Sequence, residues 1–569
     1  MAFQLSPGVL VTEKDLTNIV PAVATSEAGM VGLFNWGPCD EITVLSNEEE
    51  LRTTFGVPDT QTYPYFFTAQ SFLAYGNHLK TVRAVPSTDV NASVQSPRQI
   101  KNQAGIDALA ASDATSQFVA KYPGVLGNSL QVVVMDYSSW DTASDTTAYQ
   151  ANFNTAPSTS TFASNLDGSN DEIHVLVIDE DGAFTGTSGT VLEKFEYVSK
   201  ATNTIGTDGV SIYYKDYINA NSAYIICTGQ PDSTSGATMN WDNVADGTVF
   251  DALSSSAPVA GYNVSLSGAI NANTDATADL STSLELYANT EEVDVSLFLA
   301  GPATNAFASE IIDMALTRKD CVAFVSPLLS DVSSATASQS TKATAVVASK
   351  TAIARSSSYY VMDSGWKQQY DKYNDVNRWI PLNGDIAGLC ARTDLTNDAW
   401  WSPAGYNRGK IKNTIKLAFN PTKTSRDTLY KNGINPVITE AGEGHVLLGD
   451  KTGLSKPSSF DRINVRRLFI VLEKAIATAA KYQLFEFNDE FTRALFVNMV
   501  SPFLRDIQGR QGIIAFKVVC DTSNNTDTVI NRNDFVADIY INPARSINTI
   551  QLNFVATNNI VNFEESVVV

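Results

Sequence analysis

The sequence contains few of the residues that most metal and catalytic sites use. It has three histidines, His78, His174 and His445, and five cysteines that lie far apart without a Cys-x-x-Cys pair. This pattern indicates neither a disulfide framework nor a zinc site, and it favours synthesis in a reducing cytosol. The histidines have no zinc-protease spacing and there is no Gly-x-Ser-x-Gly elbow, so no catalytic residue is predicted.

Long apolar runs and basic charge are also scarce. No stretch approaches the ~18 residues of a membrane-spanning helix, and the N-terminus lacks the basic start and apolar core of a secretory signal. The formal net charge of −22 argues against nucleic acid or an anionic membrane as the main partner. Residues 451–569 hold 13 basic and 12 acidic side chains, so the first 450 residues carry a net −23. This uneven distribution of charge has two interpretations. The acidic part of the chain either keeps the protein soluble or forms the outer layer of an assembly whose inner layer is neutral.

Two loops resemble ligand-binding motifs without meeting their requirements. Three residues separate Gly405 from Gly409 and an isoleucine follows the next lysine, whereas a phosphate loop needs four residues and a hydroxyl. A turn before a strand at 414–419 is therefore predicted. The run Asp-Glu-Asp-Gly at 179–182 would put Val177 at the first ligand position of an EF-hand, which excludes that motif and predicts a solvated acidic turn. No cofactor and no metal are expected, and the chain is predicted not to be an enzyme.

Hydrophobic periodicity predicts a multidomain chain of α/β and α+β character. Its 569 residues predict roughly two to four domains. A strand at 293–300, a helix at 306–318 and a strand at 321–325 form a βαβ pattern, which favours parallel pairing. The earlier segment 22–85 has α/β character as well. Between them, short strands alternate with Ser-, Thr- and Asn-rich loops, which indicates an inserted β-rich domain. These strands are predicted at 130–135, 173–178, 195–198, 212–214 and 224–227.

The last third of the chain predicts two helices followed by a sheet. One helix is predicted over 461–485, and a second begins after a cap at 488–490. Their apolar stripes are Leu468, Leu472, Ala475, Ala479 and Tyr482 in the first helix and Phe491, Leu495, Met499 and Phe503 in the second. Strands follow at 513–520, 535–541 and 550–554, and the last two alternate apolar with polar residues. That alternation is typical of an antiparallel sheet with one buried face.

Both ends of the chain have the pattern of strands that lie beyond turn-like breaks. Most domains leave their last residues disordered unless something ties them down. Strand-forming ends therefore predict arms that add strands to the sheet of another subunit, which makes the chain a polymer subunit. The arm residues are Leu5, Val9 and Val11 at the N-terminus and Ile550, Leu552, Phe554, Ile560 and Phe563 at the C-terminus.

Six motifs, in order along nearly the whole chain, resemble those of tail sheath proteins of contractile-tailed bacteriophages. They are Leu-Ser-Pro-Gly-Val at 5–9, Tyr-Pro-Gly-Val-Leu-Gly-Asn at 122–128, Leu-Glu-Lys-Phe-Glu-Tyr-Val-Ser at 192–199, a block that runs from Ala387-Gly388 through Arg392-Thr393-Asp394 and Trp400-Trp401-Ser402-Pro403-Ala404-Gly405 to Asn432-Gly433-Ile434-Asn435-Pro436, Phe-Lys-Val-Val-Cys-Asp at 516–521, and Ile-Asn-Pro at 541–543. The Ser- and Thr-rich loops of the inserted region match nothing in that family.

The resemblance implies a structural subunit that stacks as hexameric rings around an inner tube. Energy stored at assembly would drive contraction and push the tube through the host envelope during genome delivery. The implied partners are further copies of the chain, the tail tube protein, and the baseplate and tail terminator proteins, with no nucleic acid and no membrane insertion. The implied location is the virion tail, after assembly in the host cytoplasm. Arg493, Arg505 and Arg510 are expected either to face the tube or to be ordinary solvated arginines.

The expected domain layout has four parts. An N-terminal arm (1–21) precedes a middle α/β domain (22–86 and 291–415), which is interrupted by an outer β-rich domain (87–290). A C-terminal domain that faces the tube (416–569) ends in an arm at 547–569. Two alternatives stay open: the sheath of a phage-derived bacteriocin or secretion device, and a surface-binding protein whose inserted domain recognises a receptor or a glycan.

Overall fold

The structure is a computed structural model that describes residues 24–94, 98–108, 117–140, 146–231, 239–253, 262–271, 277–548 and 550–551. Within these residues the chain is a multidomain α+β protein with several separate sheets, as predicted. It divides into two compact units. We call the described residues of 400–402 and 472–551 the C-terminal unit, and those of 24–399 and 403–471 the large unit.

The strands are numbered along the chain. They are β1 Ala28–Gly32, β2 Ile42–Leu45, β3 Leu79–Arg83, β4 Phe118–Ala120, β5 Leu130–Asp136, β6 Glu172–Asp179, β7 Thr190–Ser199, β8 Ile225–Cys227, β9 Tyr262–Ser265, β10 Leu297–Leu299, β11 Val322–Val325, β12 Tyr360–Met362, β13 Trp366–Asp371, β14 Val376–Pro381, β15 Lys416–Leu417, β16 Val437–Glu440, β17 Gly444–Leu447, β18 Ile513–Val519 and β19 Asp538–Pro543.

The helices are numbered in the same way. They are α1 Glu48–Phe55, α2 Tyr63–Leu73, α3 Gln103–Asp107, α4 Thr146–Gln150, α5 Thr161–Ser164, α6 Tyr214–Asn221, α7 Thr277–Leu284, α8 Asn305–Arg318, α9 Leu329–Ser333, α10 Gln339–Ile353, α11 Asn383–Thr396, α12 Lys423–Lys431, α13 Ile463–Ala480, α14 Glu490–Gly509 and α15 Asp527–Asn531. Short 3-10 turns occur at Val125–Ser129, Glu285–Tyr287 and Lys481–Gln483.

The large unit is built on a six-stranded sheet with the order β12-β11-β10-β1-β3-β2. All neighbours pair in parallel except β2, which runs antiparallel to β3. The predicted βαβ pattern is confirmed, because β10 and β11 pair in parallel and α8 lies between them in sequence. The residues of β1, β10, β11 and β12 are all buried, which explains why these strands have continuous apolar runs without alternation.

The described strands between Phe118 and Ser265 form antiparallel sheets, as the short-strand pattern predicts. One has four strands in the order β7-β6-β5-β9, and β4 pairs with β8. The strand predicted at 212–214 is wrong, because helix α6 begins at Tyr214. The hydroxyls of Tyr213 and Tyr214 both donate to Asp242 Oδ1, at 2.8 and 3.0 Å. These long-range bonds anchor both rings, and local β-propensity does not decide the conformation here.

The acidic turn after β6 is buried on one side, contrary to the prediction of a solvated turn. Asp179 has no exposed surface. Its Oδ1 accepts a hydrogen bond from Ser129 Oγ at 2.6 Å, and its Oδ2 accepts from the backbone N–H and the hydroxyl of Thr185, both at 2.8 Å. The Asp179 carboxylate therefore holds the β6–β7 loop against the 3-10 turn that precedes β5, since a buried carboxylate needs hydrogen-bond donors.

His174 lies on β6, and aromatic side chains pack around its ring. Its ring is buried, stacks parallel on Phe153 at 4.2 Å and meets Tyr197 edge-on at 4.5 Å. Its Nδ1 accepts from the backbone N–H of Tyr197 at 3.1 Å, and its Nε2 donates to the carbonyl of Thr155 at 3.0 Å. This is the neutral tautomer, and burial lowers the pKa of His174 below its usual 6.5.

Acidification is expected to destabilise the β5–β6–β7 sheet through His174. The unfolded chain takes up a proton near pH 6.5, whereas the folded ring resists it. The contribution of His174 is therefore fully present above pH ~6.5 and is lost as the pH falls from there through the lower folded pKa, by up to ~1.4 kcal/mol per pH unit. Hydrogen exchange of residues 172–199 between pH 7.5 and 5.5 measures this slope. The non-titrating variant His174→Asn is expected to show a smaller slope, and equal slopes would contradict the assignment.

Candidate assembly surface

The C-terminal unit contains an antiparallel pair of strands, as predicted. In its register Phe516 lies opposite Ile541 and Val518 opposite Ile539, with an irregularity between Ile513 and Ala515. Each strand pairs with one neighbour among the described residues, so each has an outer edge without a strand partner there. A sheet with two open edges can pair with strands from another segment or another chain. Open edges that stay uncovered lead to aggregation.

Helix α14 supports this sheet. The Asp489 side chain caps its start by accepting from the Thr492 N–H at 2.8 Å. The predicted stripe is partly wrong, because Phe491 is 75 % exposed. The buried face is formed by Phe496, Met499, Val500, Leu504 and Ile507. Phe496 meets Phe535 edge-on at 5.5 Å, which fixes the helix beside the start of β19. Gln508 Nε2 also donates to the carbonyl of Ile514 at 2.8 Å.

Trp400 closes the end of α14. Its indole Nε1 donates to the Arg510 carbonyl at 3.1 Å, which satisfies one of the terminal carbonyl groups of the helix. The Arg510 guanidinium lies 5.0 Å from the Trp400 ring centre. A Cβ at Gly512 would come within 2.7 Å of Ile507 and 3.1 Å of Trp400, so this approach requires glycine. The Trp400 ring is thus part of the packing at the end of α14.

Asn525 organises the connection between β18 and β19, and sequence reasoning missed it. Its side chain is 1 % exposed. The Oδ1 accepts from the Val536 N–H at 2.9 Å and the Nδ2 donates to the Val536 carbonyl at 2.7 Å. An asparagine side chain thereby replaces a strand partner for one residue. The sequence signal that would have found it is an asparagine pair in a polar turn, which also occurs in many solvated loops.

Replacing Asn525 with alanine is expected to loosen the β18–β19 pair. The change leaves the N–H and the carbonyl of Val536 without their side-chain partners. Val536 is half-buried, so we expect a cost of about 1 kcal/mol per group, at the lower end of the range for buried groups. Hydrogen exchange of β18 and β19 measures the effect as faster exchange in the variant. Asn531→Ala is the matched control, because Asn531 is exposed at the end of α15. Equal protection in the two variants would contradict this role.

The predicted arm residues fall mainly outside the described part of the chain. Leu5, Val9, Val11, Leu552, Phe554, Ile560 and Phe563 all lie there. Ile550 is described, is 74 % exposed and is not in a strand. The strand predicted at 550–554 is therefore not observed at its first two residues, and its other residues lie outside the described chain.

The three arginines predicted to face the tube differ in their surroundings. Arg493 is 7 % exposed, and its guanidinium donates to the Asn488 carbonyl at 3.2 Å and to Asn488 Oδ1 at 2.7 Å. It thus stabilises the first turn of α14 instead of offering its charge to a partner. Arg505 and Arg510 are exposed. The predicted tube-facing role is kept below for these two residues only.

The helix α13 forms as predicted, but its stripe ends early. Leu468, Leu472, Ala475 and Ala479 are buried, whereas Tyr482 is 72 % exposed in the 3-10 turn that follows the helix. The strand predicted at 414–419 shortens to β15. The described residues contain no group of three or more His, Cys, Asp or Glu side chains placed to hold a metal ion. No described helix is long and apolar enough to cross a membrane.

Comparison with known proteins places these observations in a family. Three domain families match separate parts of the chain: the "Tail sheath protein Gp18 domain III N-terminal region" at 25–84, the "Phage tail sheath protein central domain" at 270–453 and the "Phage tail sheath C-terminal domain" at 455–557. The chain resembles the solved sheath tail protein of Listeria innocua with a TM-score of 0.54 and 12% identity, over 92% of this chain and 93% of that one. The one from Desulfitobacterium hafniense gives 0.53 and 12%, over 91% and 94%.

The family is shown by relatives that match this chain over nearly their whole length. The chain is 33% identical to the tail sheath protein of Vibrio phage KVP40 and 33% identical to that of Enterobacteria phage T4, in each case over 99% of both chains. Identity to the tail sheath protein of Salmonella phage ViI is 31%, over 99% of this chain and 98% of that protein. The resemblance inferred from the motifs is confirmed, since the chain belongs to the phage tail sheath family and is a structural subunit of a phage tail sheath.

Proposed function

We propose that this subunit stacks as hexameric rings around a tail tube and links its rings through its two terminal segments. Each terminal segment adds as a strand to the β18–β19 sheet of a neighbouring subunit. The observation that carries this proposal is a two-stranded sheet in which each strand has one edge without a strand partner among the described residues, in a chain whose two ends have the sequence pattern of strands. Added strands keep their backbone hydrogen bonds when subunits rotate, so the rings stay connected while the sheath changes shape.

Contraction is proposed to use energy stored at assembly, without nucleotide hydrolysis or any cofactor. The extended sheath would be a kinetically trapped lattice, and the contracted one would bury more surface between subunits. Small displacements in each ring then add along the stack. The contraction drives the tube through the host envelope during genome delivery. The subunit is not an enzyme in this scheme, and its work is mechanical.

The proposed domain layout is the one expected from the sequence. A sheet that combines strands from 28–83 with strands from 297–362 supports a middle domain interrupted by an insertion. The near-neutral charge of residues 451–569 supports an inner position for the C-terminal domain, beside the tube, and the net −23 of the other residues supports an outer position for the rest. Arg505 and Arg510 are the proposed tube contacts, while the tube, the baseplate and the tail terminator are the proposed partners. Assembly takes place in the host cytoplasm.

Electron microscopy of the purified subunit at increasing concentration tests the proposal. We expect long, wide, hollow tubes with six-fold rings, in the contracted state, because no tube is present to hold the extended form. Sedimentation velocity on the same samples gives the concentration at which the tubes appear. A solution that stays monomeric at every concentration would contradict self-assembly.

A further inference from the structure

The connection between α13 and α14 exposes an unusual cluster of apolar side chains. We define the aromatic patch as Tyr482, Leu484, Phe485, Phe487 and Phe491, which are 72, 66, 105, 84 and 75 % exposed. Every large apolar side chain that is more than 70 % exposed among the described residues lies between Tyr482 and Ile550. Single exposed apolar residues are ordinary, whereas a contiguous group marks an interaction surface.

The backbone beneath the aromatic patch is held in place by polar contacts. Asn488 Nδ2 donates to the Asp534 carbonyl at 2.8 Å, and the Arg493 guanidinium donates to Asn488 Oδ1 at 2.7 Å. Phe485 adopts a φ of +69°, a left-handed conformation that a bulky residue rarely takes. A strained, anchored loop that presents aromatic rings outward is pre-organised to bind a partner.

From this arrangement we propose that the aromatic patch is a docking surface for a second copy of this chain. The proposal rests on the self-assembly proposed above and adds a contact that does not depend on strand addition. An aromatic side chain buries roughly 150–250 Å², so the four rings of the patch offer roughly 600–1,000 Å². That area matches the roughly 800 Å² that each partner buries in a stable interface.

The chemistry of the aromatic patch favours a second copy over the other occupants. In sequence the patch is flanked by the exposed acids Glu486, Asp489 and Glu490 and by one exposed base, Lys481, because Arg493 is buried and bonded to Asn488. The exposed charge around the patch is therefore net acidic and repels anionic lipid and nucleic acid. A tube contact has to release during contraction, whereas a broad apolar interface is typical of partners that stay together. The bond from Asn488 to Asp534 sets the patch beside the start of β19, next to the sheet at which neighbouring subunits are proposed to meet.

Two double variants test this inference by sedimentation velocity and electron microscopy on the full chain. Phe485→Ser with Phe487→Ser removes the two most exposed rings of the patch. Val210→Ser with Val249→Ser is the control, since these valines are 55 and 62 % exposed elsewhere. We expect the patch variant to need a concentration about 100-fold higher, or more, before it assembles. The control should assemble like the wild type, and the thermal unfolding of both variants should match the wild type.

The outcomes separate this inference from the proposed function. If wild type, patch variant and control assemble at the same concentration, the docking surface is wrong and the proposed function stands. If the wild type does not assemble at all, both fail. If the patch variant assembles normally but loses binding to purified tube protein or to lipid vesicles, the occupant is wrong and the inference is overturned.

Photo-crosslinking identifies the occupant directly. A benzophenone amino acid at position 487 is introduced into unlabelled chains, which are then co-assembled with chains labelled uniformly with ¹⁵N. We expect crosslinked peptides that join unlabelled to labelled chains. Crosslinks found only within one chain would overturn the inference, because the patch would then be covered by its own subunit.

Discussion

Deletion of residues 1–14, or of everything after Thr557, is expected to abolish or cripple tube formation and to leave a folded, soluble subunit. Each truncation removes one strand that is proposed to pair with an open edge of the β18–β19 sheet. A backbone hydrogen bond contributes about 0.5–1.5 kcal/mol net, so a strand with about five such bonds contributes several kcal/mol to each contact. A tenfold change in affinity corresponds to about 1.4 kcal/mol, and the concentration needed for assembly should rise about 100-fold or more.

The subunit should survive both truncations, because the buried apolar side chains of the described residues lie between Ala28 and Cys520. Circular dichroism and thermal unfolding check the fold, and sedimentation velocity with electron microscopy checks the assembly. Variants in which the same residues are exchanged for a Gly/Ser segment of equal length control for the loss of chain length. If either truncated chain forms tubes at the wild-type concentration, that terminal segment is not part of the mesh.

Hydrophobic periodicity correctly predicted those strands and helices whose burial and capping depend on residues within or next to the element. The strands β10 and β11 have continuous apolar runs because both of their faces are buried, and α8 between them is capped by Thr304, whose side chain accepts from the Phe307 N–H at 3.3 Å. The same reasoning failed at Tyr482, which continues the spacing of the α13 stripe. The helix ends at Ala480, and a periodic pattern does not show where a helix stops.

Hydrogen-bond partners that are distant in sequence could not be predicted from the sequence. Asp179 has the local surroundings of a solvated acidic turn, but it is buried against Ser129, 50 residues earlier in the chain. Arg83 is fully buried as well, and its guanidinium donates to the carbonyls of Phe34 at 2.9 Å and of Pro123 at 2.7 Å. Burial of this kind depends on partners that only the folded chain brings together.

Several motifs that carried the family resemblance turn out to hold the fold together. Pro123 belongs to one of them and accepts from Arg83. Asn435 belongs to another, and its Oδ1 accepts from the Lys451 N–H at 2.7 Å while its Nδ2 donates to the Lys451 carbonyl at 2.8 Å. Asp394 belongs to the same block and pairs with Arg467. The residue types in these motifs bind backbone groups and opposite charges elsewhere in the fold, which explains how they can mark a family through its structure.

Loss of the Arg467–Asp394 ion pair is expected to lower the free energy of unfolding substantially. Arg467 on α13 reaches Asp394 on α11 with two hydrogen bonds, Nη1 to Oδ1 at 2.7 Å and Nη2 to Oδ2 at 2.5 Å. The side chains are 4 and 6 % exposed. The same guanidinium donates to the Thr25 carbonyl at 3.0 Å. Arg467→Ala leaves the Asp394 carboxylate buried without its cation, and a buried pair broken in this way costs about 3–5 kcal/mol.

Arg355 and Asp313 provide the matched control for this pair. They make the same two-bond contact, with both distances at 2.7 Å, but their side chains are 38 and 48 % exposed. Water screens such a pair, so Arg355→Ala should change the free energy of unfolding by at most ~1 kcal/mol. Hydrogen exchange of α11 and urea unfolding, at concentrations where the subunit is monomeric, measure both variants.

A double variant separates the charge from the packing. Arg467→Met with Asp394→Leu removes both charges and keeps apolar volume, so it should recover much of the stability that Arg467→Ala loses. It should stay below the wild type by about 1 kcal/mol, since the Thr25 carbonyl no longer receives its hydrogen bond. If Arg467→Ala costs no more than Arg355→Ala, burial does not set the strength of this pair. If the double variant is as unstable as Arg467→Ala, the loss comes from packing of the side chain and not from the unpaired carboxylate.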